Sequence, residues 1–163
     1  MILKDLLTRD RVMVGLNASG KKQALQLIAL HTAKAMNLDQ EIVLQALQQR
    51  EALGSTGVGN GVAIPHARIA EVGSIKGMFL RFDTPVEFDA IDDAKIDLVF
   101  VLIAPPDAGA EHLRALAQVS RSLRQADLRE KLRQAPDADA CRIFLTDRST
   151  RAIDPLHKRI KAG

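Results

Sequence analysis

Ile96-Asp97-Leu98-Val99-Phe100-Val101-Leu102-Ile103 decides the fold of this chain, because apart from Asp97 every residue in it is apolar. A strand so continuous in apolar side chains is buried on both faces, and helices must cover it from both sides. It runs from Lys95 to Ala104, where Pro105 and Pro106 stop it. A second β-rich run spans Ser74 to Phe82. Between the two, Thr84-Pro85-Val86-Glu87-Phe88-Asp89-Ala90-Ile91-Asp92-Asp93 reads as a connection with turn chemistry at both ends.

Moving outward, Leu25, Ile28, Ala29, Thr32 and Met36 recur at helical spacing behind Ser19, a plausible N-cap, and predict an amphipathic helix over residues 19–36. Asp39 can cap a second helix with Val43, Ala46 and Leu47 on its buried face. Arg50 and Glu51 fall in its last turns, Arg50 along the inward edge. A third helix begins about Gly109 and carries Leu113, Leu116, Ala117, Ser120 and Leu123 at the 3.6 period, with His112 in its first turn. Residues 126–134 read as a further short helix, and Cys141 to Leu145 as an edge strand. Helices alternating with a few strands give an α/β sandwich with helices covering a mixed sheet. At 163 residues and 47% hydrophobic content, one globular domain is expected.

Composition narrows the function. Trp and Tyr are absent and aromatics make up 3%, so the core is aliphatic with five Phe, and base stacking on aromatic platforms is not expected. A net charge of +3 from 23 basic and 20 acidic residues is too balanced to imply nucleic acid. The basic excess gathers after Ile143 in Arg148, Arg151, Lys158, Arg159 and Lys161, which reads as a solvated tail over residues 148–163. Cys141 is the only cysteine, so neither an intrachain disulfide nor a thiolate metal cluster can form, which suits a reducing compartment. The first seven residues are broken by charges, and no apolar run approaches membrane-spanning length. A cytoplasmic protein without membrane insertion is the expectation.

The chemistry points to Gly54-Ser55-Thr56-Gly57-Val58-Gly59-Asn60-Gly61-Val62-Ala63-Ile64-Pro65-His66. Glycines give way to a short extended segment, and Pro65 then fixes the backbone just ahead of one histidine. His66 is thereby presented rigidly at a strand end. His112 lies beyond the proline stop, at the sheet edge where sites of α/β proteins gather, although a first-turn helix histidine serves on a surface as readily. His31, inside the first helix, and His157, in the tail, read as surface or structural. Two histidines without His-Glu-x-x-His spacing make a poor zinc site, so metal catalysis is disfavoured. No Gly-x-Ser-x-Gly elbow and no Gly-Lys-Ser/Thr loop occurs, so nucleophilic serine and nucleotide chemistry lack their motifs. Ser55, Thr56, Gly59, Asn60 and Gly61 could still bind a phosphoryl oxygen, since glycine-rich backbone forms anion nests. The remaining option for His66 is attack on phosphorus to give a phosphohistidine, with Arg50, His112 and the loop amides supplying charge and donors if the fold assembles them.

Arg50-Glu51, the glycine run and Pro65-His66 together resemble the enzyme IIA signature of the fructose, mannitol and nitrogen-related phosphotransferase systems. The similarity extends through Phe88-Asp89-Ala90-Ile91-Asp92, the strand ending in Ala104-Pro105, and His112-Leu113 with Leu116 and Ala117, over roughly residues 2–147. It implies a mannitol-type domain, residues 1–147, with a mixed sheet of about five strands flanked by helices. It also implies that His66 accepts a phosphoryl group from a histidine-phosphocarrier protein, beside His112 and Arg50, with no cofactor or metal. The Phe88–Asp92 segment and the lack of a fused transporter or IIB domain look most like the nitrogen-related branch, whose phosphorylation state is read by partners such as potassium transport systems and sensor kinases. Two alternatives stay open: a sugar-specific enzyme IIA passing phosphate to a separate IIB protein, and a non-covalent anion-binding module.

Overall fold

The computed structural model describes residues 3–151. A short helix α1 (Leu3–Leu6) and a 3-10 turn lead into β1 (Val12–Leu16), α2 (Lys21–Met36) and α3 (Gln40–Ala52). Three short strands follow, β2 (Gly57–Gly59), β3 (Val62–Ala63) and β4 (His66–Arg68), then the long strands β5 (Lys76–Val86) and β6 (Ile96–Ala104). Helices α4 (Ala110–Leu123), α5 (Ala126–Gln134) and α6 (Ala138–Arg151) complete the chain.

The six strands form one mixed sheet in the order β1-β5-β6-β3-β2, with β4 also paired to β6. β6 sits centrally, antiparallel to β5 and parallel to β3 and β4. Its side chains alternate as a strand's must. Val99, Val101 and Ile103 enter one core with Ala24, Ile28 and Met36 of α2 and Val43 and Leu47 of α3. Leu98, Phe100, Leu102 and Ala104 enter another with residues of α1, α4, α5 and α6. Every residue from Leu98 to Ala104 is fully buried, so the two-sided cover expected of this strand is present.

The count of six strands in place of about five comes from one proline. Residues 62–68 run parallel to β6 throughout, but Pro65 has no N–H and the segment bends there. Ile64 N–H turns away to Thr56 O at 2.9 Å, while Leu102 N–H reaches Pro65 O at 3.0 Å. One segment thus registers as two strands, with Val62 opposite Leu98 and His66 opposite Leu102. His66 is thereby paired directly to the framework's best-buried strand, β6.

Other expectations need correction. Ser19 does not cap α2: Gly20 precedes its first residue, and Ser19 N–H bonds Gln23 Oε1 at 2.6 Å. Asp39 caps α3 as expected, accepting from Glu41 N–H and Ile42 N–H at 2.9 and 3.1 Å. β5 continues through Thr84 and Pro85 to Val86, because a register shift after Arg81 accommodates the proline. In α4 the buried stripe is His112, Ala115, Val119, Ser122 and Leu123, one residue out of phase with the expected one, which leaves Leu113 66% exposed.

Cys141 to Leu145 is helix, not an edge strand. Asp137 Oδ1 accepts Ala140 N–H at 2.9 Å, an N-cap contact, and the buried Cys141 and Leu145 lie four residues apart on one helical face. Arg81 Nη1 ties the α5–α6 connection to β5 by donating to Leu132 O and Ala135 O, each at 2.8 Å. α6 runs on to Arg151, so the expected basic extension over 148–163 starts within it. The rest of that extension, with His157, lies outside the described residues. Among the described residues no helix is long and apolar enough to cross a membrane.

Candidate functional site

His66 opens β4, and its ring is fixed by its own backbone. Nδ1 lies 2.9 Å from Ile64 O. A carbonyl oxygen only accepts, so Nδ1 carries the proton and Nε2 keeps its lone pair. Arg50, in the last turn of α3, agrees with that assignment by donating from Nε to His66 Nε2 at 3.2 Å. Its Nη1 donates to Gly54 O at 2.8 Å, which holds the guanidinium against the ring nitrogen.

His112 comes from the first turn of α4 and meets His66 edge-on, the ring centroids 5.7 Å apart at an interplanar angle of 73°. Arg68 Nε donates to His112 Nδ1 at 3.3 Å. Burial, then Arg50, pulls the His66 pKa below the ordinary imidazole value against the Ile64 hydrogen bond and Glu51, which raise it. Burial, then His66 and Arg68, lowers that of His112. Both rings are therefore neutral at pH 7.

A cleft of about 420 Å³ opens over these groups, lined among others by Gln49, Arg50, His66, Arg68 and His112. Among the described residues no carboxylate lines it. Leu53 and Leu113, 84% and 66% exposed, stand at its rim. A half-buried nucleophilic nitrogen under two guanidiniums and an apolar rim is suited to an anionic, electrophilic group delivered by another macromolecule. Glu51 supports the assembly from behind: it is buried, accepts from both the backbone N–H and the hydroxyl of Thr56, and pairs with Lys21 Nζ at 2.9 Å. It clamps the end of α3, and hence Arg50, to the loop that leads to His66.

The structure brings Arg50, His66 and His112 together, but not the glycine turn. Gly61 O accepts the N–H groups of Asp97 and Leu98, both at 3.0 Å, whereas His66 lies opposite Leu102, about 13 Å further along β6. Asn60 N–H bonds Asp92 Oδ2 at 3.0 Å, and Asn60 O accepts from Arg133 Nη2 at 2.7 Å. Gly59 borders the Asp92 carboxylate as well. Arg133 pairs with both carboxylate oxygens of Asp97 at 2.9 Å. Ser55 Oγ donates to Phe88 O at 2.7 Å, and the Thr56 donors are spent on Glu51. Carboxylates at Asp92 and Asp97 make the turn unfit for a phosphoryl group. Here Gly61 serves a clamp, since a Cβ on it would fall 2.4 Å from Arg133 Nη2.

Arg68 escaped the sequence reading. The signal was available: two residues beyond His66 in an extended segment, it shares that residue's face. Among the described residues there is no group of three or more His, Cys, Asp or Glu able to hold a metal ion.

The sequence profile of the family described as phosphoenolpyruvate-dependent sugar phosphotransferase system, EIIA 2, matches residues 5–147. A nitrogen regulatory protein from Bradyrhizobium diazoefficiens is 44% identical over 140 residues, covering 86% of this chain and 92% of that protein. The crystal structure of nitrogen regulatory protein IIA-Ntr from Neisseria meningitidis superimposes with a TM-score of 0.82 at 35% identity, covering 88% of this chain and 99% of that one. IIA mannitol from Escherichia coli shares the fold with a TM-score of 0.72 at 22% identity, covering 85% and 98%.

Proposed function

Because this chain belongs to the EIIA 2 family of the phosphoenolpyruvate-dependent sugar phosphotransferase system, we propose that it is a phosphocarrier of the nitrogen-related branch. His66 Nε2 takes the phosphoryl group from the phosphohistidine of a small histidine-phosphocarrier protein. The observation that carries this reading is the fixed tautomer: Ile64 O holds the proton on Nδ1, which leaves the Nε2 lone pair in the cleft. That lone pair attacks phosphorus, the new N–P bond forms as the donor's N–P bond breaks, and the donor imidazole leaves with the bonding pair. The Nδ1–H bond to Ile64 O then supports the positive charge on the phosphorylated ring. Arg50 moves its Nε–H from the ring nitrogen to a phosphoryl oxygen, and Arg68 adds positive charge at the cleft mouth.

Support for the regulatory branch is the near full-length likeness to a relative named nitrogen regulatory protein. A phosphoryl group adds about −1.5 to −2 charges, as on other phosphorylated side chains. It would largely cancel the positive charge of a cleft now lined by two arginines. A regulated partner, such as a transporter or sensor kinase, reads that loss of positive charge at the rim formed by Leu53 and Leu113.

The test is incubation with phosphoenolpyruvate, the system's first enzyme and the carrier protein. Acid-labile label should appear on the protein and vanish in His66→Ala; label that survives this substitution overturns the proposal. Rapid loss of label to an added sugar-specific IIB protein would instead assign the chain to sugar transport.

A further inference from the structure

We infer that Arg68 is a positioning residue: by donating its Nε hydrogen to His112 Nδ1 it selects the His112 tautomer with the proton on Nε2, which then meets a phosphoryl oxygen as a donor. The purpose of this arrangement rests on the phosphoryl chemistry proposed at His66. The arrangement itself is a property of the resting protein.

A guanidinium offers donors only, so the nitrogen it approaches at 3.3 Å must accept. With His112 neutral, its single proton is then on Nε2. That nitrogen is buried and has no hydrogen-bond partner among the described residues. An unpaired buried donor is unfavourable, and such groups are few in folded proteins. This one sits in a ring 5.7 Å from the ring that would be phosphorylated. An oxygen carried in on His66 is the acceptor it lacks.

The opposite tautomer would not serve. With the proton on Nδ1, Nε2 would present a lone pair to an anionic oxygen and repel it. The charged and titratable groups that line the cleft with His112 are Arg50 of α3 and His66 and Arg68 of β4. The two guanidiniums offer donors only, and the one lone pair of His66, on Nε2, already accepts from Arg50, so none of the three serves as an acceptor for an Nδ1–H. Arg68 reaches from the edge of β4 toward the β6–α4 loop, where Nη1 makes only a long contact of 3.5 Å with Pro106 O. Its Nε contact is therefore the one that orients the ring. Lysine would bring charge without the fixed Nε–H direction.

The experiment records long-range proton–nitrogen spectra of the imidazoles in nitrogen-15-labelled, unphosphorylated protein, for the native chain and for Arg68→Met and Arg68→Lys. Natively, His112 should show a protonated Nε2 and a lone-pair Nδ1. In Arg68→Met the tautomers should mix and the His112 titration midpoint should rise, since a nearby cation has been removed. Phosphotransfer to His66 should fall about tenfold, the effect of one poised hydrogen bond, with Arg68→Lys in between. A native His112 protonated on Nδ1, or an unchanged tautomer in Arg68→Met, overturns the inference. Absence of phosphotransfer in the native protein would refute the proposed function while leaving the tautomer spectra to decide on Arg68.

Discussion

Replacing Gly61 by alanine should destabilise the protein without touching phosphotransfer chemistry. Gly61 has φ +78°, and an alanine there is strained by about 1 kcal/mol or somewhat more. Its Cβ would also lie 2.4 Å from Arg133 Nη2 and 2.9 Å from Asp97 Oδ1, so the guanidinium must leave its seat between Asn60 O and Asp97. The Arg133–Asp97 pair is partly exposed, with side-chain accessibilities of 37% and 16%, so its loss with the Asn60 contact amounts to about 1–2 kcal/mol after solvent screening. The total is about 2–3 kcal/mol, or roughly 4–12 °C in Tm for a domain of this size. Urea denaturation followed by circular dichroism measures it, with Gly73→Ala as the control, since nothing lies within 4 Å of a Cβ at Gly73. A Gly61→Ala protein as stable as the control would refute the clamp. A stable Gly61→Ala protein unable to accept phosphate would return the turn to the site.

Arg50→Met should keep the fold and lower phosphotransfer to His66 by about 10- to 100-fold, because a charge-assisted bond to the phosphoryl group is worth about 1.5–3 kcal/mol; single-turnover labelling measures it. The pKa values of His66 and His112 lie below the ordinary imidazole value, so labelling should be flat above about pH 6.5 and decline only as the nucleophile protonates at lower pH. Stability has the same sign: below about pH 6.5 the unfolded chain binds more protons at these two positions, so their contribution shrinks as pH falls and is constant above it, as denaturation across pH will show. Cys141 is buried, and burial raises its pKa, so a thiol reagent should modify it only on unfolding; rapid modification of the native protein would contradict the packing of α6.

The sequence made legible whatever depends on neighbours within a few positions. β6 announced itself by an apolar run broken only at Asp97, α3 by the Asp39 cap, and His66 by the proline that breaks its strand. What escaped depends on contacts between distant segments. Arg133 and Asn60 are 73 residues apart in the chain, and only the folded structure shows that glycines which look like an anion nest make room for a guanidinium. Arg81 caps the α5–α6 connection across 51 residues to Leu132 O, and a stretch rich in β-formers, Cys-Arg-Ile-Phe-Leu, becomes helix against that support. Arg68 differs: its place on the His66 face was legible two residues along the strand, and only its partner, His112, 44 residues away, was hidden.

The most direct test of the account is where the phosphorus is bonded. Phosphorylated, nitrogen-15-labelled protein examined for phosphorus–nitrogen coupling should show the bond at Nε2 of His66, with Nδ1 still protonated against Ile64 O. Coupling to Nδ1 of His66, or to either nitrogen of His112, would contradict it.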